Sequence, residues 1–360
     1  MATSSFPEYS RESSVRRNRV TTRTTGKLLA TTGYVVGIEI SGSGSRQTVA
    51  LADLAGNVLQ IADRPLDYVP DTQSVLKLIN EMLDEITAPE HLQNGRILRV
   101  GVAIGGLVDA RQGLVRRLHH VPAWQNFPLQ DYMAEKLGVP CIIDNNANAT
   151  ALAEIQYGVL SGEKHGHHTG EQVALYIGLG RGIGGGLVVN GRIYHGASST
   201  AGEIGHMLVK HNGPKCSCGG LGHLETIASA PAIVRQMRAL SDGGLQVEKP
   251  KHIGPQGEQM TAEQVFRLAA QGSTVAQQVV DEVETHLGIA LANIVHLMNP
   301  GVIILGGPVA QAGNLLIAPL QAHLDDLCLK EASESVCIVQ GQLGTKANII
   351  GAITLALQDV

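Results

Sequence analysis

The chain has 360 residues, 44% of them hydrophobic, with 27 Lys and Arg against 32 Asp and Glu, a net charge of −5 and a pI near 6.3. That length supports two or three domain cores without help from disulfides or metal, and the odd cysteine count of five argues for a reducing cytoplasm over a secreted disulfide framework. The charge excludes a global basic field for nucleic acid, and no apolar leader or membrane-length apolar run is present, so neither a signal peptide nor a membrane partner is expected.

Residues 1–33 read as a basic arm, expected to be disordered: SRESSVRRNRVTTRTTGK (10–27) carries six basic residues against one acidic. From residue 34, YVVGIEI, QTVALADLAG and NVLQIADRPL predict three strands joined by glycine-bearing turns. A helix at 73–87, a buried strand at 98–104, a helix at 129–137 and a strand at 140–144 follow. The order then returns with strands QVALYIGLG, GGLVV and RIYHG, the last two joined by a tight turn at Asn190-Gly191. Helical stretches lead to NPGVIILGG (299–307), a strand entering a glycine turn, and 344–357 predicts an apolar helix that returns to the first domain. Two three-strand meanders, each followed by alternating helices and strands, predict two related α/β domains across a cleft: 34–147 plus 345–360, and 148–344. The 43 glycines suit a cleft lined by tight turns.

Residues 203–225 read EIGHMLVKHNGPKCSCGGLGHLE. His206, Cys216, Cys218 and His223 offer two imidazoles and two thiolates among loop formers, a donor set that zinc favours. The plain alternative is two free cysteines and two surface histidines on a flexible loop. Four protein ligands would close the site, so the zinc would be structural. By fixing His206 it would leave the second ring nitrogen to face a ligand. Glu203 and Glu225 would gather beside that imidazole, and such a set of acceptors suits the hydroxyls of a sugar.

AGEIGHM followed by CSCGGLGHLE, together with GVAIGGLVD, HVPAW, DNNANATALAE, GLGRGIGGGLVVNG and NPGVIILGG in the same order, resembles the ROK family of bacterial sugar kinases and sugar-responsive repressors. The resemblance covers about residues 30–360. It implies an α/β, actin-like ATPase (ribonuclease H-like) fold of two domains around a cleft, and a homodimer. It also implies that Glu203, His206 and Glu225 bind sugar hydroxyls, with Asn145 and Asn146 on the same ring. Structural Zn²⁺ is implied on His206, Cys216 and Cys218, with His223 standing where the family usually has a third cysteine.

Three departures fall on the chemistry. Family kinases carry an aspartate base in a run resembling N-D-A-N, where this chain has Asn145, Asn146, Ala147 and Asn148. The amide of Asn146 cannot accept a proton, which removes a contribution of roughly 10²–10⁴-fold in rate. Asp144 is a substitute base in sequence, though about two strand rises away. The first phosphate loop, D-x-G-G-T in the kinases, is here Glu39–Ser45 and longer; the second, G-T-G, is Gly180, Arg181, Gly182. Arg181 can attract phosphate as a cation. Gly182, Gly184 and Gly185 suit either a nucleotide-binding nest or tight turns. Together the changes count against Mg²⁺–ATP and phosphotransfer.

TGKLLATTGYVVGIEIS resembles the junction that follows the winged helix-turn-helix of ROK repressors. About thirty residues precede it, too few for such a reader, so DNA is expected as a partner only if a missing N-terminal domain or another chain supplies one. The reading is therefore a non-catalytic sugar or amino-sugar sensor of the repressor branch. The alternatives are an ATP-dependent sugar kinase and a non-catalytic structural partner. His120, beside His119 and before VPAW, is a candidate sugar contact; His165, His167 and His168 read as a solvated loop, and Trp124 as core.

Overall fold

Val35, Val36, Ile38 and Ile40 are all fully buried, which only a strand covered on both faces allows. They belong to β1 (Gly33–Ile40), the centre of a five-stranded sheet in a computed structural model that describes residues 33–42, 46–66, 71–92, 95–118, 124–161, 173–242, 260–358 and 360. The basic arm, His119, His120, His165, His167 and His168 lie outside the described residues.

β2 (Arg46–Asp53) and β3 (Val58–Pro65) complete an antiparallel meander on one side of β1. On the other side β4 (Arg96–Ile104) and β7 (Cys141–Asn145) run parallel to it. A small hairpin, β5 (Leu107–Asp109) with β6 (Leu114–Arg117), follows β4. The second sheet repeats the plan. β8 (Val173–Leu179), β9 (Ile183–Val189) and β10 (Arg192–Ile193) form its meander, and β11 (Val302–Gly306) and β12 (Cys337–Gln340) lie parallel to β8. The sheet orders are β3-β2-β1-β4-β7 and β10-β9-β8-β11-β12, so the topological repeat expected from the sequence is present.

Helix α1 (Thr72–Ile86) buries Val75, Leu76, Ile79, Met82, Leu83 and Ile86, one stripe at helical spacing, in the core beside the first sheet. Asp71 caps it by accepting from the Ser74 N–H at 2.7 Å. α2 (Leu129–Leu137) joins the same core, in which Trp124 is fully buried, as its sequence setting predicted. α3 (Asn146–Gln156) packs on the second sheet. α4 (Ala230–Asp242), α5 (Ala262–Ala270), α6 (Thr274–Met298) and α7 (Asn314–Leu327) help to build the second, larger core. Among the described residues no helix is long and apolar enough to cross a membrane.

The apolar helix predicted at 344–357 is α8 (Ala347–Leu357), preceded by a short 3-10 turn at Gly344–Lys346. It returns to β1 and β4, as expected, and also packs face to face on α3. Small residues make this seam possible. A Cβ on Gly101 of β4 would stand 2.0 Å from the Ala352 carbonyl oxygen and 2.7 Å from the Ala356 nitrogen, both backbone atoms that cannot turn aside. Gly101→Ala is therefore expected to destabilise the protein by about 1–3 kcal/mol, the usual cost of overpacking. A lowered urea midpoint at unchanged m-value would register it.

Candidate functional site

A cleft of about 920 Å³ opens where the turns of the two sheets face each other. Asn145, Asn146, Glu203, His206 and Glu225 all line it, and so do Arg117 and Arg181.

Asn145 sits at the junction of β7 and α3 with extended backbone (φ −61°, ψ 142°) and serves as the helix N-cap, its Oδ1 accepting from the Ala147 N–H at 2.7 Å. Its Nδ2 donates to the Gly106 carbonyl at 2.8 Å. The side chain expected as a sugar ligand thus also fixes the first turn of α3 and ties it to the end of β4. Asn146 is the first helical residue, on the cleft wall, with no side-chain hydrogen bond among the described residues. Asp144 does not line the cleft. It is 3% exposed, and its carboxylate accepts from the Asn145 N–H at 2.7 Å, Asn148 Nδ2 at 2.9 Å and His195 Nε2 at 2.6 Å. That placement turns the substitute base away from any substrate in the cleft.

The zinc-type loop is built by two short backbone pairings. Leu208 bridges antiparallel to His223, and Lys215 to Leu221, which brings the ends of the 206–223 segment together. Gly222 makes the crossing possible: at φ +64°, a Cβ there would meet the Lys210 carbonyl oxygen at 1.7 Å. One ligand atom each from His206, Cys216, Cys218 and His223 lies within 4.8 Å of the others. Cys216 Sγ is 3.6 Å from His206 Nδ1, and Cys218 Sγ is 3.3 Å from His223 Nδ1. The bond lengths of zinc to sulfur and imidazole nitrogen give tetrahedral edges of about 3.3–3.8 Å. The two sulfur–nitrogen pairs already stand at that spacing, and the set of four, within 4.8 Å, could close on the ion through small side-chain adjustments. Two thiolates would balance the dication, and four protein ligands would leave no position for water.

With Nδ1 facing the sulfur, His206 Nε2 faces Glu203, whose Oε2 is 3.7 Å away. The Glu203 side chain is 41% exposed and open to a ligand. Desolvation by its surroundings and the neighbouring Glu225 raise its pKa above the ordinary carboxylate value, against the pull of His206 and Arg117. Glu225 begins a short helix (Glu225–Ala228), and its Oε2 accepts from the Ile183 N–H at 3.2 Å. A glycine at 182 leaves room for that carboxylate, since a Cβ would stand 2.3 Å from its Oε2. Gly184 lies against Ala147 of α3, and a Cβ on Gly185 would meet Ile204 at 2.4 Å. Each member of the glycine run therefore has a packing reason, whatever nest it offers to phosphate.

Glu39, which opens the first phosphate loop, also has a structural partner. Glu39 Oε1 accepts from Asn348 Nδ2 at 2.8 Å, and burial raises its pKa above the ordinary value, with Asn348 and Thr48 opposing through hydrogen bonds.

Two sheets of one winding, facing each other across a polar cleft, make this an actin-like α/β protein. A model of the ROK family matches residues 35–359, and the chain belongs to that family. It is 31% identical over 332 residues to a glucokinase of Halalkalibacterium halodurans, covering 91% of this chain and 96% of the relative. It is 28% identical over 329 residues to a putative xylose repressor of a Caldicellulosiruptor species, covering 91% and 79%. A crystal structure of a ROK family transcriptional regulator, a homolog of the E. coli MLC protein, superposes with a TM-score of 0.77 at 26% identity, covering 90% of this chain and 77% of that one.

Proposed function

We propose that the cleft binds a sugar or amino sugar through Glu203, His206 and Glu225, beside a structural zinc that sets the His206 ring, and that it transfers no phosphate. The observation that carries this reading is the pairing of a cleft-facing Asn146 at the base position with an Asp144 buried among its own partners. No carboxylate at the start of α3 is left to take a proton from a bound hydroxyl. The likeness to sugar-responsive repressors supports the sensor class. The DNA reader, if the protein acts on DNA, would come from residues beyond the cleft or from a partner. The near full-length likeness to a glucokinase, with Arg181 on the cleft wall, favours the competing reading of a sugar kinase.

Calorimetric titration with a panel of hexoses and N-acetyl amino sugars tests the binding site. At least one is expected to bind, with an affinity indifferent to Mg²⁺–ATP. A panel without heat, or sugar binding that requires ATP, would count against the reading. For a bound sugar, Glu225→Gln should weaken binding by about 1–3 kcal/mol, the scale of a hydrogen bond to a charged group. Unchanged affinity would place the sugar elsewhere.

A further inference from the structure

His195 follows β10 on the second sheet, and its Nε2 donates across to Asp144 Oδ2, on β7 of the first sheet, at 2.6 Å. Beside it, the Arg111 guanidinium donates to the Gly196 carbonyl at 3.0 Å. The loop that His195 opens is closed on itself by the Ala201 N–H to the His195 carbonyl at 3.2 Å, and tied to β9 by the Gly185 N–H to the Gly202 carbonyl at 2.9 Å. Glu203 and His206 come directly after. On the other side, the same Asp144 holds the Asn145 N–H and the Asn148 amide, and so orders the turn that presents Asn146. Both walls of the cleft thus meet at one His–Asp pair, neither member of which lines the cleft.

We propose that His195 and Asp144 form a positioning pair, which clamps the loop carrying Glu203 and His206 against the start of α3 and makes ligand affinity follow the charge on His195. The proposal rests on the cleft taking a sugar. Three charged groups act on His195 from the elements packed against it: Asp144 from β7, and Asp109 and Arg111 from the β5–β6 hairpin. The hydrogen bond it donates to Asp144 raises its pKa above the ordinary 6.5, opposed by burial and by Arg111 and aided by Asp109. Where a bound ligand holds the loop more firmly against the start of α3 than in the free protein, it raises the His195 pKa further, so the added affinity is present below the free-protein value and is lost as pH rises through the bound-protein value. A neutral ring can still donate from Nε2, so the clamp weakens without opening.

The test uses the full zinc-loaded chain. Titration with glucose and N-acetylglucosamine from pH 6 to pH 9 is expected to show affinity falling by about three- to tenfold in the wild type. His195→Gln, which keeps a donor but cannot titrate, should lose the slope that the wild type shows beyond it. Glu203 contributes equally to both proteins, so the difference reports His195. A second measurement needs no sugar: the His195 ring, followed by NMR and assigned by its absence in His195→Gln, should titrate above 6.5 and move down in Asp144→Asn. An unchanged slope in His195→Gln, or a ring that titrates at its ordinary value, would overturn the proposal. Absence of heat with the wild type at every pH would instead count against the sugar reading, and the ring titration then decides the pair.

Discussion

Wild-type protein is expected to carry about one zinc per chain, and replacing Cys216 and Cys218 together by serine is expected to strip it. A hydroxyl is a poor substitute for a thiolate ligand, and the two imidazoles left would hold the dication without charge balance. The larger consequence falls on the sugar. His206 Nδ1 lies 3.6 Å from Cys216 Sγ, and with metal and thiolate gone the ring that faces Glu203 loses its anchor on that side. Sugar affinity should fall by roughly 10–100-fold, the range seen when an orienting partner at a metal site is lost. Elemental analysis and calorimetry on the same preparations check both effects. Wild-type protein purified without chelator and free of zinc would contradict the metal site, and a zinc-free variant with full sugar affinity would contradict its link to binding.

Asn146→Asp alone is expected to restore little or no phosphotransfer. It would place a carboxylate at the start of α3, where a base could lie, and general base catalysis is typically a matter of 10²–10⁴-fold. The nucleotide side would remain as it is, with Glu39 held by Asn348 and Arg181 in the second turn. Groups that act as one catalytic unit are far from additive, so activity should require the base and both phosphate loops to be restored together. A coupled assay on the single and combined variants checks this. Turnover by Asn146→Asp alone would show that the loops already hold ATP productively.

Much of this architecture was legible in the sequence because strands and amphipathic helices carry their burial pattern as a period. α3 was not legible as a helix. Its polar residues Asn146, Asn148, Thr150, Glu154 and Gln156 all fall on even positions and residues 147–154 are buried without interruption, so no polar face at helical spacing marks the segment. The β5–β6 hairpin was too short to be separated from the strand before it. The zinc-type cluster was readable because its donors lie close in sequence and zinc restricts donor type. The pairing of His195 with Asp144 was not, since the two are 51 positions apart and meet only when both sheets are assembled. The two roles open to the glycine run also could not be separated by composition. Contacts with Glu225, Ala147 and Ile204 give the packing reason, and none of these is local in sequence.

The most direct test of the whole account is a coupled phosphotransfer assay on the unmodified, zinc-loaded protein, with Mg²⁺, ATP and each sugar that calorimetry shows to bind. The geometry predicts binding without turnover above background, because Asn146 cannot take the hydroxyl proton and Asp144 is buried against His195. Turnover in the usual enzyme range of about 1–10³ s⁻¹ would contradict it and make the protein a sugar kinase with a base that the cleft does not present in this conformation.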